Sequence, residues 1–166
     1  MQRPIPTTAK DFPRMLRQRL EADTKLLEAA ALETANRGVH EAVRLTDSLD
    51  LVDQAQYKNS WKAAPIAKGA TLANDAPHAA TIEYGRRPNR PGPPLAPIRE
   101  WVRRKLVGNG EVAEEDAEHV AFLIRLSIHR KGSPPHFVLR SVVKQLGPWF
   151  REAAVQALRR RARQGG

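Results

Sequence analysis

Between Pro13 and Ser48, the residues Leu16, Leu20, Leu27, Ala31, Ala35, Val39 and Ala42 recur at steps of three, four or seven. That spacing lines one face of an α-helix. Gly38 lies inside the run, and a glycine there leaves open a break between two stacked helices. The period then changes: Trp61, Ala63 and Ala67 alternate with Lys62, Ala64 and Ile66, and Ala80, Ile82 and Tyr84 alternate with Thr81 and Glu83. This predicts two or three short antiparallel strands, with a turn at residues 67–70. Pro65 and Pro77 belong at edges, bulges or strand ends. The segment 74–77 reads as a turn, with Asn74 and Asp75 able to bond the local backbone.

Helical spacing returns at Ile98, Trp101, Val102, Lys105 and Leu106, with Pro97 suited to a first turn and Gly108–Gly110 as the stop. Ala117, Val120, Ala121, Ile124 and Ile128 line another helix, acidic at its start and carrying Arg125, His129 and Arg130 late, as the helix dipole favours. A final apolar face runs through Val142, Val143, Leu146, Trp149, Phe150, Ala153, Ala154, Ala157 and Leu158. Pro148 either starts a new helix within it or kinks a single one. The expected class is α+β: a helix-rich single domain over residues 11–158, with a long N-terminal helix and a small antiparallel β-sheet. Residues 1–10 are expected to be a flexible arm and residues 159–166 a basic flexible tail.

Composition narrows the partners. The formal charge is +10 and the pI about 10.6, a surface that attracts nucleic acid or acidic proteins and says nothing of fold. With no cysteine there is no disulfide framework, no thiol nucleophile and no Cys-ligated zinc. The start lacks a signal-peptide apolar core, and no run approaches the roughly 18 apolar residues of a membrane span. A soluble, unexported protein without membrane partners is expected.

Little in the chain points to catalysis. The five histidines never fall in HExxH or HxH spacing, so no metal site is expected. Asp75, His78 and Glu83 lie close in sequence, but strand positions 78 and 83 face opposite sides of a sheet. Residues 85–92, Gly-Arg-Arg-Pro-Asn-Arg-Pro-Gly, lack the ending of a phosphate-binding loop. The expectation is a non-enzyme with no catalytic residues, no cofactor and no metal.

Charge is concentrated between residues 86 and 106, where Arg86, Arg87, Arg90, Arg99, Arg103, Arg104 and Lys105 stand against Glu100 alone. If they meet duplex phosphates, binding falls by about 0.9 log units per log of salt for each phosphate neutralised. No helix-turn-helix pattern or Asn/Gln cluster supports base readout. The simpler account is a solvated face opposite Ile98, Trp101 and Val102.

Four stretches taken together carry a resemblance: YKNSW (57–61), LANDAPHAATIEYGRRP (72–88), PPLAPIREWVRRKL (93–106) and AEHVAFLIRLSIHRKGSPPHFVL (117–139). In this order they resemble the tail-component family of long-tailed bacteriophages, the neck or tail-completion proteins that include lambda minor tail protein Z. The resemblance covers roughly residues 10–158. It departs where Asp53 is followed by Gln54 and Ala55 instead of the family's frequent Asp-Thr-Gly, and where His78 replaces a common aromatic residue. It implies a virion structural protein at the head–tail junction, made in the host cytoplasm, that completes the tail as a ring with sixfold symmetry. Its implied partners are further copies of itself, the neighbouring connector, tail-terminator or tail-tube proteins, and genomic DNA near the channel.

Each matched segment also has a physical reading. Ser60 and Trp61 start a strand, and Gly85 releases the chain from the Glu-Tyr-Gly strand. Glu83 beside Arg86 and Arg87 can form an orienting ion pair. The five prolines from Pro88 to Pro97 make a stiff, protruding connector. The residues expected to make assembly contacts are Glu83, Arg86, Arg87, Arg90, Trp101, Arg103 and Arg104. The competing expectation is a basic nucleic-acid-binding protein without sequence specificity.

Overall fold

A computed structural model describes residues 11–49 and 55–164. The elements in chain order are α1 (Asp11–Ser48), α2 (Gln56–Asn59), β1 (Trp61–Ile66), β2 (Gly69–Asn74), α3 (Ala79–Tyr84), α4 (Leu95–Val102), α5 (Ala117–Lys131) and α6 (Val138–Gln164). A π-helical turn over Arg103–Val107 follows α4, and a 3₁₀ turn over Glu114–Asp116 precedes α5. The chain is helix-rich α+β with one two-stranded antiparallel sheet. The expected arm over residues 1–10 lies outside the described residues, as do Asp53 and Gln54.

These elements form two compact units. The first joins the chain up to Ala76 with the stretch from Val138 onward, and the second runs from Pro77 to Phe137. In the first unit α1 passes through Gly38 as one helix, and that glycine has a packing reason. A Cβ there would meet Leu72 Cδ2 at 3.0 Å, Leu146 Cδ2 at 3.2 Å and Val142 Cγ1 at 3.3 Å. Bare backbone lets β2 and α6 approach α1 at the same level. Ala30, Thr34, Ala35, Gly38, Ala42 and Thr46 form the buried seam of α1. The hydroxyls of Thr34 and Thr46 are satisfied by the carbonyls one turn earlier, Ala30 at 2.8 Å and Ala42 at 2.7 Å.

The hairpin pairs Trp61 with Asn74 through Ile66 with Gly69 around a turn at Ala67–Lys68. In a two-stranded sheet both strands are edges, which accommodates Pro65 opposite Ala70. Trp61 is buried and meets Tyr57 edge-on, with ring centroids 5.6 Å apart. The turn after β2 is closed as expected: Asn74 accepts from the Ala76 amide at 2.9 Å and donates to the Tyr57 carbonyl at 2.8 Å.

α1 and α6 run antiparallel, as shown by the pairs Asp23–Arg161 and Arg37–Glu152. Arg37 lies 3.2 Å from Glu152 and 4.4 Å above the Trp149 ring. Both ends of the ion pair are more than half exposed, so solvent screens it. Arg37→Ala is expected to lower stability by only about 1 kcal/mol, read from the denaturant midpoint.

Three expectations are corrected here. The strand expected over residues 80–84 is helical, with Ile82 N–H bonded to the His78 carbonyl at 3.1 Å. Six residues are too few for periodicity to separate strand from helix, and Ala79, Ala80 and Glu83 favour the helix. Leu16, Leu20 and Leu27 on α1, and Val143, Phe150 and Leu158 on α6, were expected in the core yet are exposed. The helix pair closes on alanine, glycine and threonine instead, and its interface is too narrow to cover the larger side chains. Finally, residues 159–164 of the segment expected to be a loose tail are helical, the end of α6, which runs through Pro148 as the single helix that the sequence had left open. Arg161 is tied to Asp23 there.

Candidate assembly surface

All seven expected contact residues lie in the Pro77–Phe137 unit, and the backbone around Gly85 explains their placement. α3 ends at Gly85 (φ 69°), and α5 ends at Gly132 (φ 75°). Between them Arg86 and Ser133 form a two-way antiparallel bridge, with Arg86 N–H to the Ser133 carbonyl at 2.9 Å and the reverse bond at 3.0 Å. A Cβ on Gly85 would fall 2.5 Å from the Ser133 carbonyl oxygen, and one on Gly132 would fall 2.1 Å from that of Arg86. Both positions therefore need glycine for space as well as for φ. The amides of His136 and Phe137 reach back to the Ile82 and Glu83 carbonyls at 2.9 and 3.3 Å, satisfying acceptors that the end of α3 leaves open.

The proline-rich segment was expected to protrude as a stiff connector. It lies along α5 instead, held by polar bonds. Asn89 N–H donates to the His129 carbonyl at 2.7 Å, and His129 Nδ1 is 2.7 Å from the Arg90 carbonyl. Arg125 Nε donates to the Pro93 carbonyl at 3.1 Å, and the Arg86 guanidinium donates to the Pro91 carbonyl. Prolines cannot donate, but their carbonyls still accept, and Arg125 from α5 and Arg86 from the chain just before the loop supply the match. Asn89 takes φ 61°, a conformation asparagine tolerates.

The seven residues separate by environment. Glu83 is buried in the last turn of α3, and Arg86 and Arg87 are half-buried. Arg90 is exposed. Trp101 packs on the cluster of Val102, Ala117 and Ala121, so at least part of its ring serves the core. Arg103 pairs with Glu114 at 2.9 Å, and Arg104 is exposed on the π-helical turn. Neighbouring Arg99 meets Glu118 at 2.8 Å. Glu114 and Glu118 were absent from the expected set. Their signal is the acidic run 111–118 following the basic run 99–105, which allows charges on α4 to be met by those at the start of α5. Arg125 and His129, which hold the loop, had no comparable sequence signal beyond their place late in α5.

Among the described residues no three His, Asp or Glu side chains gather to hold a metal, and no helix is long and apolar enough to cross a membrane. His78 stands exposed at the start of α3, and Asp75 pairs with Lys62. On α1, hydrogen bonds from Arg44 hold the Glu41 carboxyl below its usual range against the opposing effect of burial. A lowered carboxylate pKa stabilises above the usual range, and that contribution fades as pH falls through the lowered value.

The arrangement offers charge display on a rigid backbone scaffold, a property suited to docking. Comparison with family models, curated proteins and solved structures returns no match.

Proposed function

We propose that the chain is a structural protein of the phage neck that completes the tail and joins it to the head connector as part of a ring. The observation that carries this reading is the order of elements. A long N-terminal helix, a strand opening at Trp61, an Asn-closed turn, a proline-rich loop, a Trp-containing helix and a Gly-Pro break before a last helix follow one another. The order agrees with the resemblance except at Ala79–Tyr84, which is helical. Its mechanism is shape and charge complementarity between stacked rings, with Arg87 and Arg90 offered to acidic neighbours beside a loop that α5 holds in place.

The test uses tails assembled without this protein, supplied with purified chain and then with heads. Wild-type chain restores infectious particles. The double variant Arg87→Glu/Arg90→Glu, with unchanged thermal stability, lowers the yield about a hundredfold, because like charges set against each other at an interface cost several kcal/mol. A chain that is not retained on tails, yet binds DNA with steep salt dependence, overturns the neck reading in favour of a non-specific nucleic-acid-binding protein.

A further inference from the structure

Two exposed apolar patches, one in each unit of this chain, adjoin short runs of opposite charge. The first lies at the open end of the α1/α6 pair. Asp23 faces Arg161, so the last described turn of α6 reaches about as far as Leu20. The first nine residues of α1 extend past it by about 13 Å. Phe12 and Leu20 are each 57% exposed and Leu16 is 45% exposed. At i, i+4 and i+8 they continue the face that buries Ala30, Thr34 and Gly38 further along. By helical position Arg17 and Arg19 flank this stripe, and Arg159, Arg160 and Arg163 stand on the adjoining end of α6.

The second patch is the outer face of α5. Its inner face is occupied by Ala117, Ala121, Val120 and Ile124. On the opposite face Phe122 and Leu123 are about half exposed. Glu115 and Asp116 in the preceding turn are exposed beside them, and Glu118 in the first turn, also exposed, is already paired with Arg99. A cleft of about 290 Å³ lined by Phe122, Leu126, Pro91, Gly92, Arg125 and His129 adjoins the patch at its far end from these carboxylates; it is larger than a cavity known to admit benzene, and Arg125 and His129 are already turned to the carbonyls of the proline-rich loop.

We infer that these patches are the two halves of a head-to-tail contact between copies of this chain: Phe12, Leu16 and Leu20 of one copy dock on Phe122 and Leu123 of the next, arginine rim against acidic rim. The two patches complement each other in both apolar surface and charge. A second copy of the first patch brings arginine against arginine, and a second copy of the second brings carboxylate against carboxylate. Only the unlike pairing buries both apolar stripes with opposite charges at their edges. Nucleic acid satisfies the arginines and leaves three large apolar side chains facing phosphates. Because the two halves differ, the contact is heterologous, the kind that closes into rings or runs on as filaments. It deepens the ring reading above, from which it takes the expectation that copies adjoin.

The experiment is sedimentation of the full chain over a concentration series. Wild type is expected to associate. Leu16→Asp/Leu20→Asp, which spoils the first patch, and Phe122→Asp/Leu123→Asp, which spoils the second, are each expected to weaken association about a hundredfold. All four positions are exposed, so circular dichroism and melting should not change. Mixed in equal amounts, the two variants retain one intact contact per pair and are expected to form dimers and nothing larger. A charge exchange checks the rims without touching the apolar residues: Arg17→Glu/Arg19→Glu and Glu115→Arg/Asp116→Arg should each associate more weakly alone, and their mixture, which keeps one native contact and adds the exchanged one, should grow past the dimer. Wild type that stays monomeric, a spoiled variant that still associates alone, or a mixture that remains monomeric overturns the contact. If assembly persists in both spoiled variants and tails are still completed, the contact fails and the neck reading stands. If the mixture dimerises while no chain is retained on tails, the contact stands and the neck reading fails.

Discussion

Replacing Gly132 by alanine is expected to lower the stability of the Pro77–Phe137 unit by about 3 kcal/mol. The backbone there has φ 75° and ψ −164°, a combination essentially confined to glycine that costs about 1–3 kcal/mol for other residues. The space is closed as well, because the added carbon would stand 2.1 Å from the Arg86 carbonyl oxygen and 3.1 Å from the Pro88 nitrogen. Backbone atoms cannot rotate away as a flexible side chain can. The Arg86–Ser133 bridge must open, losing two bonds of 2.9 and 3.0 Å, each worth about 1 kcal/mol net. Gly110 provides the comparison: it has φ 73°, yet nothing lies within 4 Å of its added Cβ. Gly110→Ala should lose only the conformational part, about 1 kcal/mol. Denaturant midpoints separate the two variants. Hydrogen exchange should show the Arg86 and Asn89 amides deprotected in Gly132→Ala alone. Equal losses in both variants would mean that the bridge does not constrain the loop.

That bridge bears on the candidate surface because Arg86, Arg87 and Arg90 leave from it. A loop pinned at Arg86 by Ser133, at Asn89 by His129 and at Pro93 by Arg125 holds its charges with little conformational entropy left to lose on docking. Gly132→Ala should therefore weaken any assembly that uses Arg87 and Arg90 while both arginines are still present. The composition of the loop alone, rich in proline and arginine, is equally compatible with a projecting arm.

The long periodic elements were legible in sequence. The apolar spacing through α1, α5 and α6 and the change of period near Trp61 locate those helices and the hairpin's first strand, because many residues repeat one signal. Ala79–Tyr84 was not legible, since alternation over six residues fits a strand while the same alanines fit a helix. Which apolar residues are buried was also hidden. Periodicity assigns a face, but the partners decide how much of that face is covered: Ala30, Gly38 and Ala42 are buried under α6 and the hairpin, while Leu16 and Leu20 lie in solvent. Among the candidate residues, the cationic cluster was visible as charge. Its division into the ion pair Arg103–Glu114 and the half-buried or exposed Arg87 and Arg90 depends on how α5 lies against α4, which residue spacing does not encode.

Gly38 tests the packing of the other unit through a difference in sign. Alanine at this position should leave stability within about 1 kcal/mol of wild type. It gains helix propensity of about 1 kcal/mol over glycine, and its Cβ presses on the ends of Leu72 and Leu146 at 3.0 and 3.2 Å, side chains that can yield by a few tenths of an ångström. Valine should lose about 3 kcal/mol. Its two γ-methyls extend beyond that Cβ into the same three neighbours, and the third, Val142, is itself fully buried and restricted in rotamer. Overpacking of this kind costs about 1–3 kcal/mol, and a β-branched side chain brings little of alanine's helix-propensity gain. Thermal melts of the two variants decide the matter. A valine variant as stable as the alanine variant would show that β2 and α6 do not close on α1 at Gly38, and the seam of small residues would then lack its narrowest point.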